Sequence, residues 1–266
     1  MKKGLGEIER LLFAYVGMTG SQIVRTGDLL APLQLTPASE RNLLSRLAKA
    51  GWIARVRRGL YLAPSRLPLG GKWSPDEALA LNTLMEDSGG KYQICGPNAF
   101  NRYGFDTQIP TRVYAYNNRL SGNKTVGRVE LTLIKVADTR LGDIEEVWTS
   151  DGIKATYSSR VRTLVDAVYD WSRFNSLPRG YDWIRSDLAQ RKTRAEQLVA
   201  TTLKYGDKGT IRRMGALLDR IGVEQRLLRK LQNAIPQTSS LIPWIPTLPK
   251  RGTVDRRWGV VINGDA

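Results

Sequence analysis

The chain has 266 residues, 41 of them Lys or Arg against 25 Asp or Glu, with a formal charge of +16 and an isoelectric point near 10.2. It contains no histidine and one cysteine, Cys95. This excludes an internal disulfide, a zinc site built on cysteine or histidine, Ser-His-Asp and Cys-His catalysis, and a histidine pH switch.

The charge is uneven. Residues 1–72 carry 12 basic and 4 acidic groups, residues 73–185 carry 14 of each, and residues 186–266 carry 15 and 7. The surplus at the two ends points to a polyanion as partner. Met1-Lys2-Lys3 is basic, but Glu7, Glu9 and Arg10 interrupt any signal-like apolar core. No stretch approaches the roughly 18 apolar residues of a membrane span. A cytoplasmic protein without membrane contact is expected.

In chain order, Leu5, Ile8, Leu11, Leu12, Tyr15 and Val16 have helical spacing and predict a first helix over 5–17. Thr26 is placed to cap a short second helix through Asp28, Leu29 and Leu30, ending near Pro32. Thr36 as N-cap, Pro37 at the first helical position and Gly51 past the end predict a third. Leu43, Leu44 and Leu47 share one side of it. A short strand (Trp52, Ile53, Val56), a basic tip (Arg57-Arg58-Gly59) and a returning strand over 60–62 follow. Three helices and a basic-tipped hairpin are the pattern of a winged helix-turn-helix, whose third helix enters the major groove while the hairpin lies on the backbone. The candidate DNA contacts are Ser39, Arg41, Asn42, Ser45, Arg46 and Lys49 on the helix and Arg55, Arg57 and Arg58 on the wing. Asn42 and the helix arginines suit base edges, whereas Lys49 and the wing arginines suit phosphates. Winged helices also serve in protein contact, and that alternative stays open.

The Pro/Gly-rich run 67–75 reads as a boundary, giving a winged helix over 1–66, a linker over 67–74 and an α+β domain over 75–266. Ala78, Leu79, Leu81, Leu84 and Met85 predict a helix. Segments 92–96, 113–116, 128–136, 144–147 and 153–157 read as strands, with a hairpin turn over 119–124, before a helix over 160–171. The mixed part, 75–172, is expected to hold a mostly antiparallel sheet. Helices over 182–190, 193–205, 208–221 and 224–234 and a closing strand over 258–262 make up a helical part, 181–266.

No catalytic set emerges. Glu130, Asp143, Glu145, Glu146 and Asp151 form no acid-x-Lys unit on a strand. Gly4-Leu5-Gly6 and Gly70-Gly71-Lys72 lack the rest of a phosphate-loop pattern. Cys95 reads as a core residue. Neither an enzyme activity nor a cofactor or metal is expected. A second basic cluster includes Arg212, Arg213, Arg229, Lys230, Arg256 and Arg257. It reads equally as solvated helix faces or as a contact for an acidic partner or flanking DNA.

Several segments in order resemble the AbiEi antitoxin family of phage-defence toxin–antitoxin pairs. The wing over 51–61 is similar to its winged helix. The segment 94–110 looks like its small-Ala-Leu-x-x-His-Gly-Leu run, with Phe100 in the leucine position and Tyr103 in that of the histidine. Residues 159–166, 212–218 and 257–263 resemble its Arg-Thr-Leu-x-Asp, Arg-Arg-Leu-Gly-x-Leu-Leu and Arg-Trp-x-x-x-x-Asn elements. The resemblance implies a winged helix that binds inverted repeats in its own promoter, double-stranded DNA being the first partner. It also implies a remainder that neutralises a cognate nucleotidyltransferase-like toxin, for which the second basic cluster is the candidate contact. An ordinary regulator with a ligand- or partner-sensing second domain stays the alternative.

Overall fold

The computed structural model describes residues 6–68, 72–236 and 240–264. The first helix, α1 (Glu7–Thr19), buries Leu12, Phe13 and Val16. It is followed by β1 (Ile23–Arg25), α2 (Pro37–Ala50), β2 (Ala54–Arg57) and β3 (Leu60–Leu62). The three strands form one antiparallel sheet in the order β1-β3-β2. Leu12, Val16, Val24, Leu29, Leu43, Leu44, Leu47 and Ile53 close a core between the helices and this sheet. This is a winged helix with two departures from expectation. Segment 23–25 is a strand, and residues 26–34 are turns instead of a second helix. Gly27 lies at φ +109°, and the amides of Gly27 and Leu29 are drawn to a side chain of α2 instead of a preceding turn of helix.

Further along lie α3 (Glu77–Ser88), β4 (Tyr92–Ile94), α4 (Gly96–Arg102), β5 (Val113–Asn117), β6 (Gly122–Val126), β7 (Val129–Lys135), β8 (Ile144–Trp148), β9 (Lys154–Ser158) and α5 (Arg160–Tyr169). Six strands follow the order β6-β7-β5-β4-β9-β8. The sheet is mixed, not mostly antiparallel: β5 runs parallel to β7, and β4 parallel to β9, while β6 and β7 form an antiparallel hairpin. Cys95 is buried, as expected, but it stands at the head of α4, a helix that the sequence pattern did not suggest.

The helical part comprises α6 (Trp171–Phe174), α7 (Arg179–Ala189), α8 (Ala195–Tyr205), α9 (Lys208–Ile221) and α10 (Gln225–Asn233). A small sheet β10 (Ile242–Pro243), β11 (Thr253–Asp255) and β12 (Val260–Ile262) closes the chain. Trp244, Trp258, Tyr181 and leucines of α8, α9 and α10 form its core.

The chain divides into two compact units, Met1–Tyr92 with Thr111–Asp138 and Glu146–Ala155, and the remainder. This differs from the expected parting at 67–74. Residues 69–71 of that run lie outside the described residues, but its end is tied down within the first unit. The Trp73 amide donates to the Gly51 carbonyl at 2.9 Å. The Arg128 amide, at the tip of the β6–β7 hairpin, donates to Ser74 Oγ at 2.9 Å.

Candidate nucleic-acid interface

The helix α2 is defined at both ends. Thr36 Oγ1 accepts the Ser39 amide at 3.2 Å, Pro37 opens the first turn, and Gly51 takes a left-handed φ of +78°. The Gly51 and Trp52 amides then satisfy carbonyls of the last turn. Leu43, Leu44 and Leu47 are buried, and Ser39, Arg41, Asn42, Ser45, Arg46 and Lys49 are all exposed. The helix itself places no acidic side chain on that outer face.

Glu40, at the flank nearer the apolar side, is not among the expected contacts, yet it anchors this helix. It lies one turn before Leu43 and Leu44 in the apolar stripe and is fully buried. Its carboxylate accepts the Gly27 amide at 2.8 and 2.9 Å and the Leu29 amide at 3.0 Å. The turns before α2 are therefore fastened to it, which fixes how the helix is presented. The available signal was its position: a carboxylate at the i−3 and i−4 places of a leucine stripe must find donors or disrupt the core.

The exposed cations differ in what else they hold. Arg46 donates Nε to Glu9 on α1 at 3.1 Å, tying the two helices. Arg57, at the wing tip, is bidentate to Asp87 on α3 and gives Nη1 to the Arg58 carbonyl. The Arg57 hydrogen bond, followed by the guanidinium charges of Arg57 and Arg25 and the Lys124 ammonium, holds the Asp87 carboxyl below its ordinary range. Among the described residues no hydrogen bond or ion pair engages the side chains of Arg41, Asn42, Ser45, Lys49, Arg55 or Arg58. The wing itself turns at Arg58-Gly59, where Gly59 has φ +79° and its carbonyl accepts the Thr26 amide. Val56 points inward, leaving Arg55 and Arg57 on the outer side.

The second basic cluster separates into two kinds of residue. Arg229, Lys230 and Arg256 are exposed. Arg212 and Arg213 are buried, 5% and 8% exposed, which takes them out of any surface contact. Arg212 donates to the carbonyls of Trp258 at 2.8 Å, Ser240 at 2.6 Å and Gly259. Arg213 donates to the Pro243 carbonyl at 3.2 Å. Arg257, half-buried, shares Asp219 with the Trp258 indole and also reaches Gln225. Gly215 is what lets α9 approach this tail: a Cβ there would fall 2.1 Å from the Trp258 ring. Asn263 completes the lock by donating to the carbonyls of Ile245, Leu248 and Pro249.

The other two resembling segments are structural as well. Tyr103, which stands where the resemblance has a histidine, has its one hydroxyl proton shared between Glu145 and the Ser158 carbonyl. Burial first, and then Glu145, push its ionisation upward, so it stays a donor. Arg162 is fully buried and donates to Asp166, which also accepts from Arg140. Tyr103 and Arg160 also line a small cleft with Phe105, Trp183 and Asp187.

Residues 12–64 match the family model for the AbiEi antitoxin transcriptional regulators. The fold is similar to the crystal structure of the RV2827C protein from Mycobacterium tuberculosis, with a TM-score of 0.57. That likeness spans 97% of this chain and 92% of that one at 15% identity, so it speaks for the fold alone. No curated protein matches the sequence. No helix among the described residues is long and apolar enough to cross a membrane.

Proposed function

With an N-terminal region of the AbiEi antitoxin regulators as premise, we propose that this protein represses its own operon. It binds promoter inverted repeats through α2 and the wing, in the cytoplasm, and acts by binding, not by turnover. Through the remainder of the chain it neutralises a cognate nucleotidyltransferase-like toxin. The observation that supports the first role is the outer face of α2. Arg41, Asn42 and Ser45 stand there exposed and uncommitted, with Lys49 at the end of the helix and Arg55 and Arg58 beside it. Asn42 reads an adenine edge and Arg41 a guanine edge, while Lys49, Arg55 and Arg58 neutralise phosphates. The second role rests on the family resemblance, and the exposed Arg229, Lys230 and Arg256 are its remaining candidate contacts.

The test is a titration of the full chain against a duplex from upstream of its own gene and a scrambled duplex of equal length. Asn42→Ala should lower discrimination between them by about 1–3 kcal/mol, leaving binding to the scrambled duplex unchanged. Equal discrimination by wild type and an Asn42→Ala, Ser45→Ala double variant would remove α2 as the reading helix. In a co-expression assay with the neighbouring nucleotidyltransferase gene, the same variant should lose repression yet still rescue growth. Loss of both together would refute the division of labour.

A further inference from the structure

Within the first unit, a cleft of about 260 Å³ opens beside the end of α2, lined by Gly51, Arg55, Lys72, Trp73, Gly127 and Arg128, among others. A water molecule occupies about 30 Å³ in the liquid, so the cleft has room for a phosphodiester group. It carries three cations and no acidic side chain. Arg55, Lys72 and Arg128 are all exposed, and among the described residues no hydrogen bond or ion pair engages their side chains.

The arrangement is built, not incidental. Arg128 stands at the tip of the β6–β7 hairpin, remote in sequence from the wing, and the tip is seated tightly. Gly127 has φ +65°, and a Cβ there would lie 2.9 Å from Pro75, 3.0 Å from Ser74 Oγ and 3.2 Å from Ala54 of β2. Only a glycine in the left-handed region fits so close an approach. The Arg128 amide is pinned to Ser74. The Trp73 amide is pinned to Gly51, the C-cap of α2, and the Lys72 stem lies over that same glycine. The third cation, Arg55, sits on β2 with its side chain outward.

We propose that Lys72 and Arg128 join Arg55 in a composite phosphate clamp that grips the DNA backbone next to the base pairs read by α2. The winged helix is then only part of the DNA-binding surface, and the β6–β7 hairpin supplies the rest. This rests on the DNA-binding reading above. Like-charged side chains held around one cleft repel each other, and a phosphate removes that repulsion while releasing its counterions. The contact carries no sequence information, because phosphates are the same at every step.

The experiment uses the full chain, the same two duplexes and a salt series, comparing wild type with a Lys72→Gln, Arg128→Gln double variant. Both residues are exposed, so the thermal unfolding midpoint should not move. Affinity should fall roughly tenfold to a hundredfold for both duplexes, and the slope of log affinity against log salt should flatten by about 2. Discrimination should be unchanged, and Arg128→Lys should keep most of the slope. Unchanged affinity and slope in the double variant, with discrimination still lost in Asn42→Ala, would overturn the clamp and leave the DNA reading intact. Full binding by Asn42→Ala, Ser45→Ala with undiminished discrimination would overturn the reading itself. Unaltered DNA binding with loss of growth rescue would assign the cleft to an acidic protein instead, and would also overturn the proposal.

Discussion

The two ends of the chain carry the same surplus of positive charge, yet they spend it differently. Around α2 and the wing the cations face water, and Arg41, Lys49, Arg55 and Arg58 are uncommitted. Around α9 and the closing sheet Arg212 and Arg213 are turned inward, and Arg257 is shared among Asp219 and two glutamines. The cause lies in the backbone. The tail over 240–250 contains three prolines and only two residues in a strand, so many of its carbonyls have no ladder partner. A guanidinium has five donors and no acceptor, which suits it to satisfy several such carbonyls at once. A surplus of arginine therefore signals a partner only after those that hold irregular chain have been set aside.

The largest effect that would sharpen this contrast is Arg212→Ala. It takes the guanidinium away from the carbonyls of Trp258, Ser240 and Gly259, the last of which keeps only the Ile242 amide, and opens a void against α9. Hydrogen bonds from a charged group contribute about 1.5–3 kcal/mol, and an abandoned buried acceptor costs about 1–3 kcal/mol more. A loss of roughly 3 kcal/mol or more is expected in denaturant unfolding, against almost none for Arg229→Ala on the exposed face of α10. Wild-type stability in Arg212→Ala would erase the distinction between the two ends.

At the other end the comparable interior group is acidic, and its effect is smaller. Glu40→Gln keeps the volume but loses the charge and one acceptor oxygen, so a side-chain NH2 in the Oε2 place is turned towards the Gly27 amide, while the oxygen in the Oε1 place still accepts from Gly27 and Leu29. A destabilisation of about 2 kcal/mol is expected from urea unfolding, together with weaker binding to the upstream duplex because α2 is presented less firmly. If stability and affinity both stay at wild-type values, the turns before α2 are held by their own packing.

What could be read from the sequence follows the range of the forces involved. The third helix was legible because Thr36, Pro37 and Gly51 act within one turn of their own positions. The helices over 179–233 were legible from leucine spacing to within about three residues. The strand at 23–25 was not, since three residues carry no periodicity and its pairing with β3 is made across almost forty residues. Nor was the parallel pairing of β5 with β7, because alternation gives a strand but no direction. Among the site residues, exposure of the α2 face followed from the wheel, whereas the burial of Arg212 and the seating of Gly127 against Ala54 depend on partners that no local pattern names.

The smallest expected effect concerns the one wing arginine that is not free. Asp87 sits in the last turn of α3, where a negative charge opposes the helix dipole, and its compensation is Arg57. Because the folded carboxyl is held below its ordinary range, the ion pair is complete throughout neutral pH. It is lost only as pH falls through that lowered value, so proton uptake by Asp87 does not tune DNA binding under ordinary conditions. Substitution does what pH cannot. Asp87→Asn removes the charge that detains Arg57 and lifts a negative group from beside Arg25 and Lys124. Affinity for both duplexes should rise a few-fold at low salt, and the salt slope should steepen by up to about 1 as Arg57 gains a phosphate. The gain should vanish in an Asp87→Asn, Arg57→Gln double variant. Lower affinity in Asp87→Asn alone would mean that the pair holds the wing in its binding posture, and Asp87 would then belong with Glu40 as a support for the interface instead of a brake on it.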